Sequence, residues 1–200
     1  LTMTYASIPT LRVEPSLAQY WEPRIVARSY DGSARPYFDK AGVTVGMAMT
    51  EKQGGSDVRT NTTRAEADGT AWRLTGHKWF CSAPMSDGFL TLAQTPKGLT
   101  CFLVPRWLDG GRNSIRIQRL KDKLGNRSNA SAEIEYDRAF AHQIGEEGQG
   151  VRTIVEMVHH TRLDTAIAPA GLMRGALTEA HHWVTHRTTF QKRLIDQPLM

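Results

Sequence analysis

A polar turn with two adjacent glycines ends the segment 46–57, which reads Gly-Met-Ala-Met-Thr-Glu-Lys-Gln-Gly-Gly-Ser-Asp. Gly54 and Gly55 permit close approach of the backbone to another group. Thr50 and Ser56 add hydroxyls beside backbone N–H groups. Fixed donors of this kind suit a group that gains negative charge when it reacts, as the pyrimidine edge of a flavin does on reduction. The alternative is a strand that runs into a glycine-rich turn without any ligand.

Four further segments follow in an order that resembles the acyl-CoA dehydrogenase family. The segment 76–82 reads Gly-His-Lys-Trp-Phe-Cys-Ser and resembles the second flavin segment of that family. The other three are Leu-Gly-Asn-Arg-Ser at 124–128, a loop rich in glycine and glutamate at 144–150, and Arg-Thr-Thr-Phe at 187–190. Three details indicate the AidB-like branch of the family, flavoproteins tied to the bacterial adaptive response to DNA alkylation. These are residues 50–58, residues 128–131 and the ending Gln-Pro-Leu-Met at 197–200.

The resemblance implies FAD as the cofactor. Phe80 stands where most members have a tryptophan packed against the isoalloxazine ring, and Ser82 stands where a threonine bonds flavin N5. The residues that the resemblance places at the flavin are Met47, Ala48, Met49, Thr50, Gly55, Ser56, Phe80, Cys81, Ser82, Arg187 and Phe190. Ser56 and Arg162 would also contact the acyl-CoA.

The catalytic residues stay unknown at this stage. Dehydrogenation at Cα–Cβ needs a carboxylate that removes the α-proton. Residue 161, where isovaleryl-CoA dehydrogenases carry their glutamate, is Thr161 here. We interpret Glu51 as structural, and the family resemblance places the base beyond the end of this chain.

The elements that must position these residues fall into three parts: the end of a helical domain with a linker at 1–43, a β-barrel middle domain at 44–145, and the start of a helical bundle at 146–200. Short strands are predicted at 90–94, 101–104, 114–118 and 132–136, separated by Gly- or Pro-containing turns. Their number and spacing indicate a barrel or a sandwich. The predicted fold class is α+β, acyl-CoA dehydrogenase-like.

The period of the apolar residues changes to that of a helix after Gly150. Ile154, Val155 and Val158 lie on one predicted face, and a second apolar stripe follows Pro169. Pro169 is expected to kink or split this helix, because proline removes a backbone donor. We interpret the loop 145–150 as a hinge between domains.

The charge distribution, the cysteines and the histidines indicate which partners, compartment and metal sites to expect. The net charge of +5 is concentrated at 106–127, where seven basic residues face two acidic ones. This segment could attract CoA phosphates or nucleic acid, or it could be a solvated strand face. Cys81 and Cys101 are the only cysteines, so we expect a reducing cytoplasm and no disulfide framework. No metal site is expected from the histidines, although His182 and His186 are four residues apart.

No apolar run approaches the roughly 20 residues that span a bilayer, so no membrane partner is expected. The chain begins at Leu1 and is interpreted as a fragment of a longer protein. Arg187 and Phe190 are expected to reach the flavin of a neighbouring subunit, which implies a homodimer or homotetramer. Family members usually have glycine after that phenylalanine, whereas this chain has Gln191.

Two functions therefore remain. The first is oxidation of a short or branched acyl-CoA by an FAD-dependent enzyme. The second is an AidB-like role in which the protein binds double-stranded DNA through a region beyond this chain and protects it from alkylation. The acyl chain and the electron acceptor are not specified by these residues.

Overall fold

The computed structural model describes residues 1–200 and divides into two compact units, Leu1–His160 and Thr161–Met200. Three short helices open the first unit: α1 (Thr2–Ala6), α2 (Ile8–Leu11) and α3 (Pro15–Ile25). The fourth helix, α4 (Gly150–His186), contains the boundary between the units. None of the helices has the length and apolar character that crossing a bilayer requires.

Nine strands belong to the first unit and two to the second. The first four are β1 (Val45–Ala48), β2 (Arg64–Asp68), β3 (Ala71–Ser82) and β4 (Gly88–Thr95). The next five are β5 (Gly98–Pro105), β6 (Trp107–Leu108), β7 (Gly111–Arg112), β8 (Ile115–Leu120) and β9 (Ser131–Ile144). The second unit contains β10 (Thr188–Thr189) and β11 (Lys192–Arg193).

The main sheet closes into a barrel, because its strands pair in a ring. Strand β3 pairs with β9, β9 with β5, and β5 with β4. The ring is completed by β1, which pairs with β4 on one side and with β3 on the other. Closure leaves few free strand edges, and it confirms the predicted β-barrel and the α+β class.

Strands β4 and β5 are buried on both faces, which explains their almost unbroken apolar sequence. On one face, Leu90 and Leu103 join Trp21 of α3 and Met157 of α4 in one core cluster. On the other face, Phe102 lies in a second cluster inside the barrel, together with Phe89, Leu74 and Tyr136. The helices of the first unit therefore cover the outer side of β4 and β5 and leave other parts of the barrel exposed.

The four predicted strands are confirmed by β4, β5, β8 and β9, and β8 begins one residue after the predicted start. Strand β2 was not predicted, because its sequence Arg-Ala-Glu-Ala-Asp alternates polar residues only with alanine, which has a low strand propensity, and Ala65 is its only buried residue. Strand β9 extends eight residues past the predicted end, to Ile144. The predicted turns occur at Gly69, Gly98 and Gly111, all of which have positive φ.

One expectation about the helical part was wrong. Pro169 does not split the helix, because a single α-helix runs from Gly150 to His186 through it. The hinge at the loop 145–150 stays a prediction. The loop packs against the β4–β5 hairpin, since a Cβ at Gly148 would lie 2.4 Å from the carbonyl oxygen of Lys97, and one at Gly150 would lie 2.5 Å from the carbonyl carbon of Thr100.

The second unit consists of the later part of α4 and a small hairpin. Phe190 and Gln191 connect β10 to β11, and both have positive φ, 50° and 64°. Two successive positive φ angles are the pattern of a type I′ turn. The apolar side chains of this part of α4 are largely exposed, among them Leu163, Ile167, Leu172, Met173, Leu177 and Trp183. A helix with so much exposed apolar surface is typical of one whose packing partners lie elsewhere.

Candidate functional site

A bulge in β3 turns two consecutive aromatic rings to the outside of the barrel. The register with β9 shifts between Lys78 and Cys81. The backbone N–H groups of Trp79 and Phe80 both point at the carbonyl oxygen of Thr50, at 2.8 and 3.5 Å. Two N–H groups directed at one carbonyl are typical of a bulge in which one extra residue enters one strand. The bulge therefore joins the first and second motifs directly.

Thr50 and Ser82 add hydroxyls to this region, and neither hydroxyl makes a hydrogen bond within the protein. Ser82 is half-buried and pairs with Met47 in the β1–β3 ladder. Gly55 passes close to Thr50, since a Cβ at Gly55 would lie 3.0 Å from Thr50 Oγ1. The absence of a side chain at Gly55 therefore keeps the Thr50 hydroxyl accessible. We call the surface formed by Thr50, Gly55, Phe80 and Ser82 the ledge.

A buried ion pair lies directly beneath the ledge. Lys78 Nζ donates to Glu51 Oε1 at 2.8 Å and to the carbonyl oxygen of Leu92 at 2.8 Å. Glu51 also accepts hydrogen bonds from the backbone N–H groups of Thr62, at 2.6 Å, and Thr63, at 3.1 Å. The pair thus ties the turn after β1 to the start of β2 and to the middle of β3.

The surroundings shift both pKa values. Burial alone raises the pKa of Glu51, but the charge of Lys78 and the hydrogen bonds from Lys78, Thr63 and Thr62 outweigh it and hold the pKa at about 2. Burial lowers the pKa of Lys78 to about 8 against the opposing effect of Glu51. Glu51 is therefore charged at neutral pH and fully occupied by its partners, which agrees with its interpretation as structural.

Asn61 fixes the other side of the turn. Its Nδ2 donates to the carbonyl oxygen of Met49 at 2.9 Å, and its Oδ1 accepts a hydrogen bond from Gln53 Nε2 at 2.8 Å. Outside the regular strands, no backbone hydrogen bond uses the N–H of Met49 or Thr50 as the donor. These two N–H groups are therefore available to a ligand at the ledge.

The remaining predicted site residues differ in how they could contact a ligand. The side chains of Ala48 and Cys81 lie inside the barrel, both 0% exposed, so only their backbone could do so. Met47 and Met49 pack partly on the first core cluster, and Ser56 is exposed. Arg162, Arg187 and Phe190 belong to the second unit, where Phe190 is 92% exposed and the Arg187 guanidinium lies over the Trp183 ring at 5.6 Å.

Three cavities of about 500, 520 and 560 Å³ lie away from the ledge. The first is lined by residues that include Arg59 and Arg152, the second by Val13 and Glu156, and the third by residues 112–117. The ledge is an open surface, as expected of a site that further parts of a protein complete. The ledge is the candidate site because the two motifs meet there.

The basic segment at 106–127 is extensively paired with carboxylates. Arg119 Nε and Lys121 Nζ contact Glu133 Oε1 at 2.6 and 2.7 Å, and Arg116 pairs with Asp137. The pKa of Glu133 is lowered to about 2, chiefly by its hydrogen bond from Lys121, against the effect of burial. This pairing agrees with a solvated strand face more closely than with an open polyanion site.

Comparison with protein families matches three successive parts of the chain. Residues 1–32 match the "Adaptive response protein AidB N-terminal domain", residues 46–139 the "Acyl-CoA dehydrogenase, middle domain", and residues 148–200 the "Acyl-CoA dehydrogenase, C-terminal domain". The middle-domain match covers most of β1, all of β2–β8 and the first part of β9.

Individual relatives agree with these matches. The chain is 50% identical to the "Putative acyl-CoA dehydrogenase AidB" of Escherichia coli, over 100% of this chain and 38% of that protein. It is 35% identical to the "Acyl-CoA dehydrogenase family member 11" of Caenorhabditis elegans, over 100% of this chain and 34% of that protein. The crystal structure of Caenorhabditis elegans ACDH-11 in complex with C11-CoA superposes with a TM-score of 0.85 at 34% identity, over 99% of this chain and 35% of that one. The chain thus spans little more than a third of the length of these relatives.

The four residues of the ledge were all predicted as site residues, but the ion pair and the cation beside them were not. Lys78 was noted only as part of a motif, because the register shift between Lys78 and Cys81 breaks the alternation along β3 and hides the inward direction of its side chain. The outward pair Trp79 and Phe80 could not be predicted from alternation, because a bulge breaks the two-residue period. The contact between Lys121 and these rings joins segments about forty residues apart and has no local signal.

Proposed function

The chain belongs to the acyl-CoA dehydrogenase family, and we propose that it forms the flavin-binding part of an FAD-dependent acyl-CoA dehydrogenase-type enzyme. The observation that carries the proposal is the bulge at Trp79 and Phe80. It is anchored on the Thr50 carbonyl oxygen and brings the two flavin-type motifs to one surface. Motifs 30 residues apart could match by chance, but a shared surface with available donors is a functional arrangement.

The residues present fit a flavin. The Phe80 ring is 40% exposed and offers an apolar face for stacking. The hydroxyls of Thr50 and Ser82 and the N–H groups of Met49 and Thr50 are available as donors. A bound flavin would supply the acceptor for a hydride from the substrate. Phe80 would fix the plane of the cofactor, and the hydroxyls would fix its polar atoms.

The substrate of the whole protein is proposed to be a short or branched acyl-CoA. Ser56 is exposed next to the ledge and could contact the CoA arm, and Arg162 is a second candidate contact. The carboxylate base that removes the α-proton is proposed to come from a part of the protein outside this chain. Glu51 cannot take that role, because its oxygens are held by Lys78 and by the Thr62 and Thr63 amides.

We further propose that the site is shared between subunits of a homodimer or homotetramer. The support is the exposed Phe190 at the tip of the β10–β11 hairpin, next to Arg187. A large apolar ring at the tip of a hairpin is costly to leave in water and suits insertion against a neighbouring molecule. Two free buried cysteines are consistent with a reducing compartment, and the cytoplasm is proposed.

The test is an anaerobic titration of the full-length protein. Its flavin absorbance is recorded while isovaleryl-CoA or a straight-chain acyl-CoA is added, with free coenzyme A as the control because it has no Cα–Cβ bond to oxidise. Rapid bleaching by an acyl-CoA but not by coenzyme A is the expected result. A normal flavin spectrum that no acyl-CoA bleaches would contradict the dehydrogenase proposal.

The second candidate is an AidB-like role in protecting DNA from alkylation, with little dehydrogenase activity. It is favoured by the match of residues 1–32 to the AidB N-terminal domain and by the 50% identity to AidB along the whole chain. The pairing of Arg116, Arg119 and Lys121 with carboxylates does not favour the basic segment as the DNA site. Double-stranded DNA binding by the full-length protein, lost when the region after Met200 is removed, would support this role.

A further inference from the structure

An ammonium group lies against both aromatic rings of the bulge. Lys121 Nζ is 3.2 Å from the centre of the Trp79 ring and 4.7 Å from the centre of the Phe80 ring. Both distances are within the roughly 6 Å over which a cation is attracted to an aromatic face. A positive charge therefore lies directly beside the ring that forms the apolar part of the ledge.

Several contacts hold this charge in place. The Lys121 backbone N–H donates to the carbonyl oxygen of Ser131 at 2.8 Å, and Lys121 Nζ contacts Glu133 Oε1 at 2.7 Å. The Lys121 side chain is only 11% exposed, and the Glu133 side chain 8%. A lysine that is held at both ends and shielded from water keeps a fixed position, unlike the usual mobile lysine at a surface.

The charge around the two rings is positive in sum. Arg119 shares Glu133 with Lys121, through a contact of 2.6 Å, and its guanidinium lies 5.7 Å from the Trp79 ring centre. Lys52 Nζ lies 5.9 Å from the same ring centre. Three cations therefore lie near the Trp79 ring, and the Glu133 carboxylate pairs with two of them, Arg119 and Lys121. His77 Nε2 is 3.5 Å from Glu133 Oε2 and would add to the positive charge if protonated.

We propose that Lys121 is a positioning residue that raises the reduction potential of the flavin at the ledge. The inference rests on the proposed function, because it needs a flavin next to Phe80. Two-electron reduction with uptake of a single proton leaves the flavin with one negative charge. A fixed cation at a site of low exposure would stabilise the anionic reduced flavin more than the neutral oxidised flavin. Glu133 holds Lys121 and at the same time opposes part of its effect.

The charge and the packing of Lys121 can be separated by substitution. Lys121→Met keeps an unbranched side chain against Trp79 and Phe80 but removes the charge. Glu133→Gln keeps an oxygen that can accept a hydrogen bond from Lys121 and removes the negative charge.

Arg138→Gln is the matched control. Arg138 lies on the same strand as Glu133, pairs with Glu66 at 2.9 Å and is 63% exposed. It lies beside Leu74 and Thr75 of β3, roughly 17 Å along that strand from Phe80.

The experiment measures the midpoint potential of the flavin in the full-length protein against reference dyes, with dithionite as the electron donor and solvent as the proton donor. We expect Lys121→Met to favour the oxidised flavin about tenfold, which corresponds to a decrease of about 30 mV for a two-electron couple. Glu133→Gln is expected to shift the potential in the opposite direction, and Arg138→Gln is expected to leave it unchanged.

The outcomes separate the inference from the proposed function. Failure of the full-length wild-type protein to hold any flavin overturns the proposed function. A flavin-bound Lys121→Met variant with the wild-type potential overturns the role of Lys121 and leaves the proposed function standing. If Lys121→Met loses its flavin, Glu133→Gln decides: a higher potential supports the inference, and an unchanged or lower one overturns it.

Discussion

Glu51 Oε1 and Lys78 Nζ lie 2.8 Å apart, although the two residues are 27 positions apart in the chain and their side chains are 3% and 0% exposed. Glu51 belongs to the first motif and Lys78 to the second. The pair therefore fixes the relative positions of the two segments that form the ledge. The same ion pair therefore stabilises the barrel and fixes the shape of the ledge.

Removing one member of this pair should destabilise the barrel strongly. Glu51→Gln leaves the Lys78 ammonium buried without a countercharge, and loss of one partner of a buried pair costs about 3–5 kcal/mol. Urea unfolding followed by tryptophan fluorescence measures the change. The exposed pair of Arg138 and Glu66 is the comparison, since Arg138→Gln should cost less than about 1 kcal/mol. Equal effects at the two pairs would contradict the structural role of Glu51.

The same pair predicts how stability changes in acid. The pKa of Glu51 is about 2 in the folded protein and 4.5 ordinarily. The unfolded chain therefore takes up a proton first as the pH falls, and protonation favours unfolding. The stabilisation by Glu51 is complete above about pH 4.5 and is lost between 4.5 and 2. The difference in unfolding free energy between wild type and Glu51→Gln should shrink over that interval. A difference that stays constant down to pH 2 would contradict the lowered pKa of Glu51 in the folded protein.

The two cysteines should be unreactive in the native protein. Burial raises the pKa of both Cys81 and Cys101 to about 12, and both side chains are 0% exposed. The thiolate is the reactive form, so neither residue should react with a thiol reagent at neutral pH before the barrel opens. Absorbance with an aromatic disulfide reagent should show no fast phase in buffer and two thiols per chain in denaturant. A fast phase in buffer would show that one strand is open.

The β10–β11 hairpin should become more stable when its turn receives a glycine. Gln191 has φ of 64° in the second position of a two-residue turn. A left-handed conformation costs a non-glycine residue roughly 1–2 kcal/mol, and glycine adopts it readily. Gln191→Gly should therefore slow hydrogen exchange at Leu194, whose N–H bonds the Arg187 carbonyl oxygen at 2.8 Å. Gln191→Ala is the control, and equal exchange in the two variants would argue against strain in the turn.

The outline of the fold could be predicted from the sequence because its elements are encoded locally. Strands such as β4 and β5 are continuous apolar runs between turn residues. In the first motif, a short apolar run predicts β1, and the glycines that follow it predict the turn. The resemblance to one family placed these strands in a barrel. The outward orientation of both Trp79 and Phe80 could not be predicted. A bulge places consecutive residues on the same side of a strand, and it is set by pairing with a distant strand.

The helical part shows a different limit. A break at Pro169 was predicted from the local rule for proline, but the helix runs through it. The close packing of Gly148 and Gly150 against Lys97 and Thr100 has no local signal, because these segments meet only after folding. The contact between Lys121 and Phe80 also depends on strands that meet only after folding.

The most direct test of the ledge is the flavin content of the full-length protein with Gly55→Val. A side chain at Gly55 would push on the Thr50 hydroxyl at 3.0 Å, whereas nothing lies within 4 Å of a Cβ at Gly110, so Gly110→Val is the control. We predict that Gly55→Val weakens flavin binding at least about tenfold, about 1.4 kcal/mol, without lowering the melting temperature of the apoprotein, and that Gly110→Val binds like wild type. Equal flavin affinity in the two variants would contradict the placement of the flavin at the ledge.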